Sequence, residues 1–320
     1  MRNIDMHCHS TRSDGKNSPE ELLREAQRMK LDFLALTDHD VISPRIFQSE
    51  LRDAWIKTCD SVEISARNYE LWKSLHLVSY ARIFHDSLQD ILTHTDTAKK
   101  RLRKLQFQKI TETLWLEWDE SDFSLYMTQR HQRNISTSNK YDMARYFWSI
   151  GSNRPKIVDV LQWLIDSDDI VTHFFEACFK RWGSLYEMHG VEIEEYEPSV
   201  EMTVQEVVNE AWWVVSLAHP NVTFSKNKWW IPEFQRTIWD YIDVWVNAIE
   251  INVHASPEWI WVILEARQKF WDLLITQGTD CHMIWYDGRD GKHASLWISN
   301  PYIIPEQREY FFSEFQERVV

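Results

Sequence analysis

Glycine is scarce in this chain, with 7 among 320 residues, against roughly 22 at the ~7% usual for globular proteins. Tryptophan stands at 18, and the excess is of the same order as the glycine deficit. Several of these tryptophans fall in turn-like places. Trp212 and Trp213 directly precede the apolar run Val214–Ala218, Trp245 precedes Ala248, Trp271 precedes Leu273, and Trp285 precedes Tyr286-Asp287-Gly288. Trp55 and Trp72 lie in polar, loop-like surroundings. Helix–strand junctions often need φ > 0, which glycine adopts freely and a bulky aromatic does not. The pattern suits a gene whose UGA codons are decoded as glycine but rendered as tryptophan. The rival reading is a truly Trp-rich chain with its rings packed between elements.

Cysteine is sparse as well. Cys8, Cys59, Cys178 and Cys281 show no framework spacing, which excludes a disulfide scaffold and fits reduced thiols in a cytoplasm. No apolar run approaches the ~18 residues of a membrane-spanning helix. A polar motif begins at Asp5, so no signal peptide is expected. Positive charge is in the minority: Lys and Arg number 35 against 49 Asp and Glu, a formal charge of −14. Stable binding to duplex nucleic acid, which needs a basic face, is not expected. A small phosphorylated partner at a metal centre is compatible with that charge, because the cation supplies the positive field.

The opening residues predict strand, loop, helix, strand. Ser18-Pro19-Glu20-Glu21 reads as a helix start, with Ser18 as N-cap, Pro19 at the first position and Glu21 closing a capping box. Leu31–Thr37 is a nearly continuous apolar run, as in a strand buried on both faces. Similar runs recur at Leu75–Tyr80, Val214–Ala218, Ala248–Val253 and Leu273–Thr276. They alternate with helical patterns, which points to an α/β fold with parallel strands. From about residue 85 to 199 the pattern is helical, with helices expected at Asp96–Gln106, Lys140–Ile150, Lys156–Ile165 and Asp168–Trp182. The basic run from Lys99 to Lys104 reads as a solvated helix face.

Residues with metal-ligand chemistry cluster at the ends of these strands. His7-Cys8-His9 places two imidazoles on one side of an extended strand. Asp14 follows in the next loop, and Thr37-Asp38-His39-Asp40 closes the second strand. Glu63, His76, His219, Asp280 and His282 each adjoin or belong to a further apolar run. The C-terminal ends of parallel barrel strands share one face, so these distant positions can meet. Any single histidine is by default a packing residue. Five strand ends each delivering His, Asp or Glu is hard to explain by packing, because a buried charge is costly unless paired or metal-bound. Cys8 and Cys281 are expected to pack beneath the site, and His85, His94, His131, His173, His189 and His293 to be structural.

The segments DMHCHSTRSDG (Asp5–Gly15), LALTDHD (Leu34–Asp40), VEIS (Val62–Ser65), SLAHP (Ser216–Pro220) and GTDCH (Gly278–His282) resemble, in order, the PHP (polymerase and histidinol phosphatase) phosphoesterases. The resemblance implies a distorted (β/α)7 TIM-like barrel over residues 1–84 and 200–320. A helical insertion over 85–199 would form part of the substrate pocket. It also implies two or three divalent ions, Mn²⁺ foremost and Fe²⁺ or Zn²⁺ also suited to such ligands. One would be held by His7, His9, Glu63 and Asp280, a second by Glu63, His76 and His219, and a third by Asp14, His39 and His282. A bridging Glu63 would set two ions roughly 3.5–4 Å apart, with a bridging hydroxide attacking phosphorus. Glu63, Asp280 and His219 are then the catalytic candidates, and Asp38 and Asp40 would orient histidines.

Within that family the helical insertion resembles the branch that removes the 3′-phosphate of 3′,5′-nucleoside bisphosphates or trims short 5′-phosphorylated RNAs. Lys140 and Arg145 fall where those proteins carry a basic helix start, although the histidine customary there is absent. His254, after the run at Ala248–Val253, is a further substrate-contact candidate. The competing readings are a histidinol-phosphate phosphatase with the same metals, and an inactive PHP scaffold module. The complete ligand set speaks against the scaffold.

Overall fold

The computed structural model describes residues 2–70, 73–131, 140–161, 170–179, 198–208, 213–224, 230–243, 246–285, 295–296 and 299–319. The chain divides into two compact units, Met1–Thr93 with Glu197–Val320, and His94–Tyr196. Trp72, Trp212, Trp245, His189 and His293 lie outside the described residues, as do the last turns expected of the helices at Lys156–Ile165 and Asp168–Trp182. Among the described residues no helix is long and apolar enough to cross a membrane.

Among the described residues the first unit carries seven strands: β1 (Ile4–Cys8), β2 (Phe33–Leu36), β3 (Asp60–Asn68), β4 (Lys73–Ala81), β5 (Trp213–Leu217), β6 (Ala248–Asn252) and β7 (Leu274–Gly278). They form a mixed α/β arrangement of two sheets, parallel β1–β2 and a five-stranded sheet in the order β3-β4-β5-β6-β7. The pairs β5–β6 and β6–β7 are parallel, as the alternation of strand and helix requires. The expectation of parallel neighbours fails at β4, which runs antiparallel to both β3 and β5. The reason is the connection: residues 69–72 join β3 to β4, and a parallel return needs a crossover of a dozen or more residues. Instead of one continuous ladder, isolated bridges meet at the sheet edges. Phe33 pairs with Lys57, His39 with Glu63, and Cys8 with Cys281.

Helix α1 (Pro19–Arg28) begins as its sequence dictates. The Ser18 side chain accepts the Glu21 backbone N–H, and the Glu21 carboxylate accepts the Ser18 N–H at 2.8 Å. Its buried residues Leu22 and Ala26 join Leu34, Leu36, Phe47 and Leu51 in one apolar cluster, with Cys8 and Cys281 beside them. Each such Leu contributes about 1.5–3 kcal/mol on burial. Helix α2 (Arg45–Asp53) ends in a left-handed residue, Trp55, with φ 64°. The Trp55 N–H donates to Arg52 O and the Ile56 N–H to Leu51 O, both at 2.9 Å. Those two bonds make a Schellman motif whose left-handed position is usually glycine. Trp115, immediately after α3 (Asp86–Leu114), has φ 57°. Trp213 departs from the glycine-like expectation: it opens β5 and packs, half-buried, on the core.

The second unit is helical, including Glu120–His131, Lys140–Ser149, Asn153–Val160 and Ile170–Phe179. Its core is aromatic, with Phe107, Phe123, Tyr146, Phe147 and Phe174 buried together. Trp118 stacks on Phe107 at 4.7 Å. The basic run near residue 100 is exposed in part and ion-paired, Lys100 to Asp96 and Lys104 to Glu120, each at 2.8 Å.

Candidate metal centre

Glu63, in the buried first half of β3, is where the strand ends meet. Its carboxylate is fully buried. Oε2 faces His39 Nδ1 at 2.9 Å, His9 Nε2 at 3.2 Å and His7 Nε2 at 3.4 Å. Oε1 faces His76 Nδ1 at 3.0 Å and His219 Nε2 at 3.1 Å. The antiparallel course of β4 explains His76, which lies near the beginning of its strand and opposite Ser65. His76 was expected at the start of its apolar run, and the reversed strand presents that end to the edge where Glu63 lies.

Two further carboxylates complete the cluster. Asp280 Oδ1 lies 3.1 Å from His9 Nε2, 3.4 Å from His282 Nδ1 and 3.5 Å from His7 Nε2. Asp14 Oδ1 lies 3.1 Å from His282 Nε2 and 3.8 Å from both His9 Nδ1 and His39 Nε2. Among the described residues three ligand sets result: His7, His9, Glu63 and Asp280; His9, Asp14, His39 and His282; and His39, Glu63 and His76. The first coincides with one set expected from sequence. In the others His9 joins Asp14, and His39 stands beside Glu63 and His76, while His219 approaches Glu63 from the Oε1 side.

The donor set fits divalent cations. Glu63 Oε2 and Asp14 Oδ1 are shut off from solvent, yet neither makes a well-aligned hydrogen bond among the described residues. Imidazole nitrogens nevertheless crowd both oxygens, and His7 Nε2 and His9 Nε2 point at each other 3.1 Å apart. Imidazole nitrogens and carboxylate oxygens converging at such distances form a donor set that suits a divalent cation. Burial opposes ionisation of Glu63 and Asp14, but the surrounding imidazoles outweigh it and hold both well below the usual carboxylate range. For His9 burial opposes the charge, and the adjoining Asp280 and Glu63 overcome it, pushing the pKa up to about 10. Burial wins at His39, whose pKa falls.

Asp38 and Asp40 were expected to orient histidines, and each in fact clamps serines. Asp38 accepts the Ser10 N–H and hydroxyl at 2.7 Å and the Ser13 hydroxyl at 2.6 Å, fixing the loop that leads to Asp14. Ser13 Oγ lies 3.4 Å from His9 Nδ1, so Asp38 acts on that ring through a hydroxyl. Asp40 accepts the Ser65 N–H and hydroxyl at 2.8 and 2.9 Å. Asp40, His219 and Asp280 have φ of 53°, 29° and 53°, and such backbone strain gathers at functional sites. Cys8 and Cys281 are buried and free.

Lys140 begins a helix of the second unit, and Arg145 on that helix lies 4.6 Å over the Tyr141 ring. His254 follows β6, its backbone N–H donating to Asn252 Oδ1 at 2.9 Å. Sequence reasoning passed over Glu250 and Asp5. Asp5 accepts the Thr279 hydroxyl at 2.7 Å, tying β1 to the segment that carries Asp280. Glu250 contacts His7 Nδ1 at 3.0 Å. Its signal was present, a carboxylate in the middle of the apolar strand Ala248–Asn252.

Residues 5–144 match the PHP domain model. A 5′-3′ exoribonuclease of Haemophilus influenzae is 34% identical over 115 residues, 35% of this chain and 40% of that protein. A phosphoribosyl 1,2-cyclic phosphate 1,2-diphosphodiesterase of Eggerthella lenta is 31% identical over 75 residues, 23% of this chain and 29% of that protein. The chain thus matches less than half the length of either relative. In fold it resembles an inferred metal-dependent phosphoesterase of Bifidobacterium adolescentis, with TM-score 0.65, 17% identity, and 98% and 96% of the two chains covered. It also resembles an amidohydrolase of Chromobacterium violaceum, with TM-score 0.65, 20% identity, and 99% and 97% covered. The matched segment holds His7, His9, Asp14, His39, Glu63 and His76 in order, and over those residues the chain is similar to the PHP domain.

Proposed function

We propose that this chain is a metal-dependent phosphoesterase acting on small nucleotides, either a 3′,5′-nucleoside bisphosphate or a short 5′-phosphorylated oligonucleotide. The observation that carries the reading is the set of five imidazole nitrogens within 3.4 Å of the two oxygens of buried Glu63. His7, His9, Glu63 and Asp280 would hold one cation, with His39, His76 and His219 around a second and Asp14, His39 and His282 around a third. Mixed imidazole and carboxylate donors favour Mn²⁺, Fe²⁺ or Zn²⁺ over Mg²⁺ or Ca²⁺, and we take Mn²⁺ as the working ion. When bound, such ions supply positive charge that neutralises phosphate oxygens and leaving group.

The chain's own part is positioning. Glu63 presents one oxygen to each of two histidine groups, and Asp38 holds the Ser10–Ser13 loop rigid beneath Asp14. The seven strands read best as a distorted (β/α)7 barrel, with the bridges at Cys8–Cys281 and His39–Glu63 as its seams. The relatives named above support a phosphate carried on ribose, since one is named for RNA and the other for a phosphoribosyl ester. Lys140, Arg145 and His254 are the substrate-contact candidates.

The test is phosphate release with Mn²⁺ from nucleoside bisphosphates, 5′-phosphorylated oligoribonucleotides and histidinol phosphate. A higher kcat/KM on a nucleotide is expected. A higher value on histidinol phosphate replaces the nucleotide reading, and release from none of them by metal-loaded protein supports a scaffold.

A further inference from the structure

We propose that Glu250 is the positioning residue that sets the two histidines on opposite sides of Glu63. It rests on the metal-site reading above. Glu250 is 1% exposed in the centre of β6. Its Oε1 lies 3.0 Å from His7 Nδ1, and its Oε2 accepts the His219 backbone N–H at 2.6 Å. The first contact places the His7 proton on Nδ1 and leaves the Nε2 lone pair facing Glu63 and Asp280. The second holds His219 in its left-handed conformation, from which Nε2 reaches Glu63 Oε1. One carboxylate therefore aims an imidazole from β1 and another from the segment after β5.

The surroundings are shaped to keep it there. A Cβ at Gly278, the last residue of β7, would stand 2.2 Å from His7 Cβ and 2.5 Å from Glu250 Oε1. Only glycine at this position lets β7 close over the pair. A carboxylate at the centre of a buried strand is costly to retain unless its charge is used.

The experiment is Mn²⁺ titration of metal-free wild type, E250Q and E250A, with bound metal measured after dialysis and folding followed by circular dichroism. E250Q keeps shape but must turn an NH₂ group toward one of two N–H donors. Folded E250Q is expected to bind Mn²⁺ about 10–100-fold more weakly, with activity recovering as Mn²⁺ is raised. Wild-type affinity in folded E250Q or E250A overturns this inference alone. Failure of E250Q to fold in saturating Mn²⁺ also overturns it, since a positioning role leaves the fold intact. Wild type that binds no Mn²⁺ overturns both this inference and the metal-site reading.

A separate observation carries a second inference. Trp55 and Trp115 are left-handed residues at helix C-termini, with side chains 93% and 81% exposed. Both are stereochemically glycine positions, and neither ring has burial to justify it. Trp271 and Trp285 are 86% and 70% exposed in turns. Trp118, stacked in an aromatic core, is a contrasting case. We infer that the gene specifies glycine at positions 55 and 115 through UGA codons. The test reads those codons and maps the corresponding peptides by mass spectrometry in protein taken from the source cells. UGA codons with glycine-containing peptides are expected, and UGG at both positions overturns the inference.

Discussion

Replacing Trp55 and Trp115 by glycine should stabilise the protein, against the usual direction of large-to-small substitutions. A left-handed conformation costs an L-residue about 1–2 kcal/mol. Glycine removes that strain but gives the unfolded chain extra freedom worth about 0.4–1 kcal/mol. With the Trp55 ring 93% exposed and the Trp115 ring 81% exposed, little burial is lost to offset the gain. The net expectation is about 0.5–1 kcal/mol per site. The effects should add, because Trp55 belongs to the first unit and Trp115 to the second. Each kcal/mol moves Tm by about 2–4 °C in the larger first unit and by about 4–8 °C in the second, so W55G/W115G should melt a few degrees higher. W271G is the control: Trp271 is equally exposed, but its φ is not positive. It should be neutral or slightly destabilising. Differential scanning fluorimetry, with calorimetry on the best pair, reads the outcome. Unchanged or lower Tm in W55G and W115G would refute the backbone argument. An equal gain in W271G would assign the effect to the loss of exposed aromatic surface.

H7A and D280N each remove a group from the first ligand set, so both should lose at least about 100-fold in phosphate release together with bound metal; full turnover at unchanged metal content contradicts the assignment. The pH dependence follows from His9. Its folded pKa, about 10 without metal, exceeds the ordinary ~6.5 of an unfolded histidine. The stability it contributes is therefore full below pH 6.5 and lost as pH rises through 10. Metal-free protein should lose Tm over that window. Mn²⁺ must displace the same proton, so its affinity should rise up to about tenfold per pH unit for each proton released; a pH-independent affinity contradicts this. D38N should leave Ser10 and Ser13 poorly held at a cost of about 1–3 kcal/mol, seen as a lower denaturation midpoint and weaker metal binding, whereas wild-type values for both would show that the clamp is dispensable.

Much of the site is legible in the amino-acid sequence because its chemistry is local along the chain. His7 and His9 share one side of a strand by the two-residue period of extended chain. The capping box at Ser18 and Glu21 needs only four consecutive residues to form. Burial cost told the same story for Glu63 and Asp280, since an acid inside an apolar segment demands a partner. What tertiary structure alone decided is who faces whom. The reversal of β4 follows from a short connection, and it brings the beginning of that strand, with His76, beside Glu63. His39 stands between Asp14 and Glu63, a sharing that no spacing specifies. Glu250 looked like one acid in an apolar strand until β6 came beside β7 and turned its two oxygens toward His7 and His219. Periodicity gives the side of a strand on which a group lies. Distances between groups far apart in the chain arise only when the strands pair, because strand order and direction are collective properties of the packed sheet.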